Sequence, residues 1–188
     1  DLDSLKKEIK ISPHTLDLLV LWSVMNRLIP CNESLFKPEN HALLSRLGPR
    51  EKIKLYEGES LSDSFSISEE KILHGLRRRI WKTSKEGSLC EGRFGPSPRD
   101  TRALLHKTAQ RARSENLTPL DLFEELEDFI KQISTYDYLQ YEPQQNYHDQ
   151  AYFLKTLKKD YINSFEEEIA QAMSIANKNE YTLYLERY

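Results

Sequence analysis

Apolar residues recur every three or four positions along most of the chain, which is the spacing of helices that bury one face. The clearest stretch runs from Leu16 to Ile29. It follows Ser12-Pro13, a favourable helix start because proline has no backbone N–H to leave unsatisfied at the first helical position. Pro30 ends the pattern. We predict here a helix of about four turns that is buried over most of its circumference.

Three further helix starts combine a capping hydroxyl with an acid three residues later, which is the arrangement of a capping box. They are Ser66 with Glu69, Ser97 with Asp100 and Thr118 with Asp121. Together with the apolar spacing, these starts define a set of predicted helices. The predicted helical ranges are 41–47, 50–57, 66–86, 97–113, 118–133, 148–176 and a last short helix within 180–188.

No stretch alternates apolar and polar residues as a half-buried strand does. The chain is therefore predicted to be all-α, a multi-helix bundle of about seven to nine helices. A change in charge near residue 115 suggests two parts, residues 1–115 and 116–188, although a single domain is also compatible with the pattern. The serine-rich run 59–68 is predicted to be a surface loop.

Composition describes a polar chain with a helical core. The 188 residues are 38% hydrophobic and 30% charged, and the mean hydropathy is −0.68. No apolar run approaches the roughly 20 residues that a membrane span needs, so no membrane association is expected. Cys31 and Cys90 are too few for a disulfide framework or a cysteine metal site, which favours a cytoplasmic location.

Charge is divided unevenly along the chain. Residues 71–113 contain twelve Lys or Arg and three acids, whereas residues 114–142 contain eight acids and one base. One hypothesis is that the basic helices dock on an acidic surface of this chain, of a second copy or of another part of the protein. The alternative is a module that binds nucleic acid or a partner through residues 71–113. A net charge of −3, and only Trp81 and Phe94 as aromatic residues in that range, argue against nucleic acid.

Familiar catalytic motifs are absent from the sequence. It contains no G-x-x-x-x-G-K-[ST] phosphate loop, no G-x-G-x-x-G, no H-E-x-x-H, no Cys-x-x-Cys and no ordinary protein-kinase motif. The five histidines are scattered, and no metal site is predicted. The acids at Glu124, Glu125 and 166–168 are predicted to lie on solvated faces. The catalytic residues, if this chain holds any, stay unknown.

One arginine occupies an unusual position. Arg99 falls in the first turn of the helix that begins at Ser97, where the positive end of the helix dipole disfavours a cation. The preceding residues 91–98 contain two glycines and two prolines, which restrict the direction of this helix start. Either Arg99 pairs with a local acid such as Glu91, or it binds a phosphate or carboxylate from elsewhere.

Four blocks in order resemble the C-terminal part of the bacterial PrkA serine protein kinases. The blocks are Ser12-Pro13-His14-Thr15-Leu16, Asn26-Arg27-Leu28, Lys54-Leu55-Tyr56-Glu57-Gly58-Glu59 and Glu91-Gly92-Arg93-Phe94-Gly95-Pro96-Ser97-Pro98-Arg99. A looser resemblance extends through 119–126 and 147–149, so it covers most of the chain. The string Phe94-Gly95-Pro96 departs from the expected pattern.

The resemblance implies that this chain is a fragment, because those kinases carry an AAA+ ATPase core upstream. Residues 1–115 would then form an AAA+ lid-like region and residues 116–188 a C-terminal helical region. ATP and Mg²⁺ would bind to the full-length protein and not to this fragment alone, which is expected to be inactive. The implied partners are its own AAA+ core, further copies in a homo-oligomer and a protein substrate of unknown identity.

The same resemblance implies a role for the unusual arginine. The position of Arg99 is similar to that of the sensor arginine in AAA+ lids, which contacts the nucleotide phosphates across a domain interface. Arg93 and Arg102 are possible supporting basic residues.

Overall fold

A computed structural model describes residues 10–61, 64–85, 90–112 and 115–173. Seven α-helices lie in these ranges, so the prediction of a mostly helical chain is confirmed. The predicted helix within 180–188 lies outside the described residues. The helices are α1 (Pro13–Met25), α2 (His41–Leu44), α3 (Pro49–Glu57), α4 (Ile67–Thr83), α5 (Pro98–Arg111), α6 (Pro119–Phe129) and α7 (Gln150–Ala172).

All three predicted capping boxes form. At the start of α5, the Ser97 backbone N–H donates to the Asp100 carboxylate at 2.7 Å, and the Asp100 N–H donates to the Ser97 hydroxyl at 3.2 Å. Reciprocal bonds also start α4 and α6. At α4, the hydrogen bond from the Ser66 backbone, followed by those from Arg46 and the Ser66 hydroxyl, lowers the pKa of Glu69 to about 2.

A short β-pair joins distant parts of the chain and was not predicted. Strand β1 (Lys10–Ile11) pairs in parallel with β2 (Asn116–Leu117), with Lys10 opposite Asn116. Each strand has two residues, which is too short for an alternating pattern to be read from the sequence. The pair holds the start of α1 beside the start of α6, and the Thr15 hydroxyl donates to the Leu117 carbonyl at 3.3 Å.

Two hydrophobic cores organise the helices. The first lies among α1, α5, α6 and α7 and includes Trp22, Leu104, Phe129 and Phe153. The second lies among α2, α3 and α4 and includes Leu44, Leu55 and Leu73. The first core takes residues from both sides of position 115. The boundary there stays a prediction.

Some apolar residues at helical spacing are nevertheless exposed. Val20 and Val24 of α1 lie on one narrow strip that faces solvent, whereas most of the helix is buried or partly buried, so the prediction that α1 is buried over most of its circumference is confirmed. Glu125, predicted to be solvated, is buried next to Arg111. Exposed apolar residues on or just after α4, α6 and α7 are Ile67, Ile72, Trp81, Leu120, Ile133, Ile162, Phe165 and Met173.

No described helix combines the length and the apolar character that a membrane crossing would require. Within the ranges given above, no group of three or more His, Cys, Asp or Glu side chains is arranged to hold a metal ion.

Candidate functional site

The turn that precedes α5 is fastened to the end of α1. The Arg27 guanidinium donates to the Gly92 carbonyl at 3.0 Å and to the Pro96 carbonyl at 2.5 Å. In return, the Gly92 backbone N–H donates to the Arg27 carbonyl at 3.0 Å. We name the residues from 91 to 97 the α5 turn. Arg27 holds this turn through both its side chain and its backbone carbonyl.

Gly95 allows this close approach. Its φ of +118° lies in the region that favours glycine, and a Cβ there would come within 2.7 Å of Arg27 Cγ and 3.1 Å of the Asn26 carbonyl oxygen. The α5 turn can therefore lie directly on the backbone of α1 only because this position has no side chain.

The first residue of the α5 turn is anchored in the interior by a buried ion pair. Lys52 on α3 is fully buried, and its ammonium pairs with the Glu91 carboxylate, which is also almost completely buried. The same ammonium donates to the Ile29 carbonyl at 2.7 Å and to the Ser84 hydroxyl at 3.1 Å. Because these acceptors follow α1 and α4, Lys52 connects three helices to the turn.

The other carboxylate oxygen of Glu91 is also satisfied. Tyr56 donates its hydroxyl to it at 2.8 Å. Burial, and then the Glu91 charge, raise the pKa of Tyr56 far above its ordinary value, so the phenol stays protonated. Burial likewise raises the pKa of the neighbouring Cys31 thiol. The sequence did not predict this cluster, because Lys52 and Glu91 are far apart in the chain and each is an ordinary surface residue type.

Arg99 lies beyond this anchored turn, exposed in the first turn of α5. The structure does not pair it with Glu91, because that carboxylate is occupied by Lys52 and Tyr56. Among the residues that the structure describes, no carboxylate lies within ion-pair distance of Arg99. The local-acid alternative with Glu91 is therefore wrong.

The two supporting arginines lie in different places. Arg102 is one turn after Arg99 on α5, so the two share a helix face. Arg102 also lines a shallow apolar hollow of about 300 Å³ beside Val20 and Val24. Arg93 is exposed within the α5 turn, with its guanidinium 5.8 Å from the ring centre of Phe94. The structure thus places Arg102 on the same helix as Arg99, and Arg93 in the turn that precedes that helix.

A cavity of about 500 Å³ lies against the α5 turn and was not predicted. It is lined by residues of the loop after α1, the end of α4, the α5 turn and the loop before α7, among them Cys31, Phe94, Tyr141 and His148. His148 has a φ of +60°, and its buried Nδ1 has no partner among the described residues. Burial lowers the pKa of His148, so its ring is uncharged at neutral pH.

The basic and acidic segments are partly joined within the chain. Arg111 of α5 pairs with Glu125 at 3.3 Å and with Asp128 at 2.6 Å, both on α6. The Arg111 hydrogen bond lowers the pKa of Asp128. The basic residues of α4 lie elsewhere. Three cations on its solvent face, and one just after the end of the helix, form a row that we name the α4 ridge: Lys71, Arg78, Lys82 and Lys85.

Comparison with known proteins gives one match. The family model of the PrkA serine protein kinase C-terminal domain matches residues 50–188, which include α3 to α7 and the whole α5 turn. Neither the curated proteins nor the solved structures contain a significant match to this chain.

Proposed function

The chain belongs to the PrkA serine protein kinase C-terminal domain family, and from this we propose that it is the lid-like and C-terminal helical region of a bacterial AAA+ serine/threonine protein kinase. The ATP- and Mg²⁺-binding core lies in another part of the full-length, homo-oligomeric protein, and this region responds to the nucleotide held there. Arg99 contacts the nucleotide phosphates.

One observation carries the proposal: Arg99 is an exposed cation in a helix first turn, and no carboxylate of the described residues lies within ion-pair distance of it, since the adjacent Asp100 is used in the capping box. That position costs a few tenths of a kcal/mol to about 1 kcal/mol relative to a carboxylate. A phosphate brought to the same place would gain from both the helix dipole and the guanidinium, whose planar donors match phosphate oxygens. The location therefore suits an anion that arrives from outside this chain.

The α5 turn offers a way to transmit nucleotide state. Arg27 and Lys52 tie the turn to α1, α3 and the end of α4, so a force on Arg99 acts on both hydrophobic cores. We infer that the phosphate draws Arg99 and the attached helices toward the core when ATP is bound and releases them after hydrolysis. The helices after residue 115 then move with the nucleotide and present the region that contacts protein substrate.

Replacing Arg99 by alanine in the full-length protein is expected to lower the rate of ATP hydrolysis about tenfold or more, because the phosphate loses a charged contact. The melting temperature should not change, since the described residues give Arg99 no intramolecular bond to lose. Steady-state phosphate release measures the rate, and Arg77→Ala, an exposed arginine on α4 outside the α4 ridge, is the matched control.

Arg102→Ala and Arg93→Ala separate the supporting roles, with a larger effect expected at Arg102 because it shares the face of Arg99. An unchanged hydrolysis rate in Arg99→Ala would refute the sensing role. The 188-residue chain alone should not hydrolyse ATP, and hydrolysis by it would place a nucleotide site within this chain.

The α4 ridge favours a second candidate function, docking on an acidic protein surface. Lys71, Arg78, Lys82 and Lys85 form no ion pair within the described ranges, and exposed Trp81 lies under the Lys85 ammonium at 3.6 Å. Four cations on one face could also bind nucleic acid, which is the alternative that the sequence left open.

Binding to a DNA duplex distinguishes these partners. We expect no measurable binding at 50 mM salt, because the net charge of −3 opposes approach to a polyanion. If the ridge bound DNA, four phosphate contacts would weaken the affinity about a hundredfold between 50 and 200 mM salt. Such a slope, lost in a Lys71→Glu/Arg78→Glu variant, would replace the protein-docking proposal by the nucleic-acid one.

A further inference from the structure

The outer face of α7 is an apolar stripe that nothing in the described chain covers. Ile162, Phe165 and Met173 are 54%, 49% and 46% exposed, and Ile169 lies between them. Their spacing of three and four residues places them on one side of the helix. We name these four residues the α7 stripe.

The opposite side of α7 packs against the first core. Phe153 and Leu157 are buried in the first core, and Tyr161 packs edge-on against Phe123 at 6.0 Å. Near the far end of the helix, His14 contacts Glu168 at 3.0 Å. Helix α7 is therefore fixed along its length by α1 and α6, and the α7 stripe is presented on a rigid support.

Charges beside the α7 stripe are divided by position. Lys155, Lys158 and Lys159 precede Ile162, whereas Glu166, Glu167 and Glu168 follow it. Asp160 also precedes Ile162, but its charge is paired with Arg50, and Lys158 is paired with Glu127. Lys159 and Glu166 lie on the same edge of the stripe, two helical turns apart. The helix thus carries a basic half and an acidic half around a midpoint near residues 162 and 163.

From this arrangement we propose that the α7 stripe binds a second copy of this chain, with the two α7 helices antiparallel about a twofold axis near residues 162 and 163. This packing brings Ile162 and Phe165 of both copies together. It also places Lys159 of one copy beside Glu166 of the other, and the symmetry repeats that pair. The interface is distinct from Arg99 and does not depend on the phosphate-sensing role.

The charge pattern favours a second copy of this chain as the partner, and it favours antiparallel over parallel packing of the two α7 helices. A parallel pair would place Lys159 against Lys159 and Glu166 against Glu166, which is repulsive. The stripe extends from residue 162 to residue 173, or about 17 Å along the helix, and two such surfaces bury less than the roughly 1,200–2,000 Å² typical of stable complexes. The dimer is therefore weak and dependent on concentration, and other contacts in the full-length protein would add to it.

Sedimentation velocity over a concentration series of the 188-residue chain tests the proposal. We expect a reversible monomer–dimer equilibrium that Ile162→Asp abolishes. Lys159→Glu and Glu166→Lys should each weaken dimerisation about tenfold, because each puts like charges together twice, and the double variant should restore it. Leu120→Asp, at an equally exposed apolar position on α6, is the matched control and should leave the equilibrium unchanged.

Cysteine cross-linking reports the direction of the helices. In a background with Cys31→Ser and Cys90→Ser, a cysteine introduced at Ile162 should form an intermolecular disulfide on mild oxidation, because it lies near the twofold axis. A cysteine introduced at Met173 should not, because antiparallel packing separates the two copies of that residue. A monomer at all concentrations, a failed rescue by the double charge reversal, or cross-linking through position 173 in place of 162 would each overturn the proposal.

Discussion

Replacing Lys52 by alanine is expected to lower the free energy of unfolding by about 3–5 kcal/mol, because the variant leaves a buried carboxylate without its cation. Lys52 is fully buried and pairs with Glu91, which no other cation in the described chain contacts. The change also removes donors to the Ile29 carbonyl and the Ser84 hydroxyl. For a chain of this length, the loss corresponds to a decrease in melting temperature of roughly 6–20 °C.

Urea denaturation followed by circular dichroism measures the change. Lys54→Ala, on the same helix but partly exposed and without an ion pair among the described residues, is the matched control and should cost less than about 0.5 kcal/mol. The double variant Lys52→Met/Glu91→Gln should recover part of the loss, since it removes the unpaired charge. A Lys52→Ala variant as stable as the control would show that water or another cation compensates Glu91.

Replacing Gly95 by alanine is expected to destabilise the protein by about 2–4 kcal/mol, combining the strain of a left-handed residue with the cost of overpacking. The added Cβ would meet Arg27 Cγ at 2.7 Å and the Asn26 backbone, and the backbone cannot move aside as a side chain end could. The variant should loosen the α5 turn, so ATP hydrolysis by the full-length protein should decrease even though Arg99 is intact.

Substitutions at two other glycines separate the cost of backbone strain from the cost of overpacking. Gly92→Ala has a φ of +83° and open space around it, so it should show only the strain, about 1–2 kcal/mol. Gly75→Ala lies in α4 with nothing nearby, and should raise stability by about 0.5–1 kcal/mol. If Gly95→Ala cost no more than Gly92→Ala, the close approach to α1 would not constrain the turn.

The sequence predicted the helix starts well because each is determined by a few adjacent residues. Ser97 with Asp100 and Thr118 with Asp121 form the capping boxes expected from their spacing. The sides of the helices that are buried were predicted less well. Ile162 and Phe165 have the spacing of core residues, yet the helix that would cover them is absent from the described chain. Spacing identifies an apolar face and leaves open what packs on it.

The anchoring of the candidate site could not be predicted for a different reason. Lys52 and Glu91 come together because α3 packs against the loop after α1 and the α5 turn. No local sequence pattern identifies a lysine that will be buried. The position of Arg99 at a helix start is visible in the sequence. That Glu91 pairs with Lys52, and that no carboxylate of the described residues pairs with Arg99, depends on how distant segments pack.

The large sequence separation between α1 and the residues it packs against has a consequence for how the protein folds during synthesis. The first core includes Trp22, whose indole N–H donates to Gln150, so residues 128 positions apart must meet. The second core draws only on residues between Cys31 and Ile80. Closing a long loop costs more entropy than closing a short one. The second core can therefore form on the ribosome before α5, α6 and α7 are available to pack against α1. During that interval the apolar surface of α1 is exposed, which makes α1 a segment through which the nascent chain can aggregate.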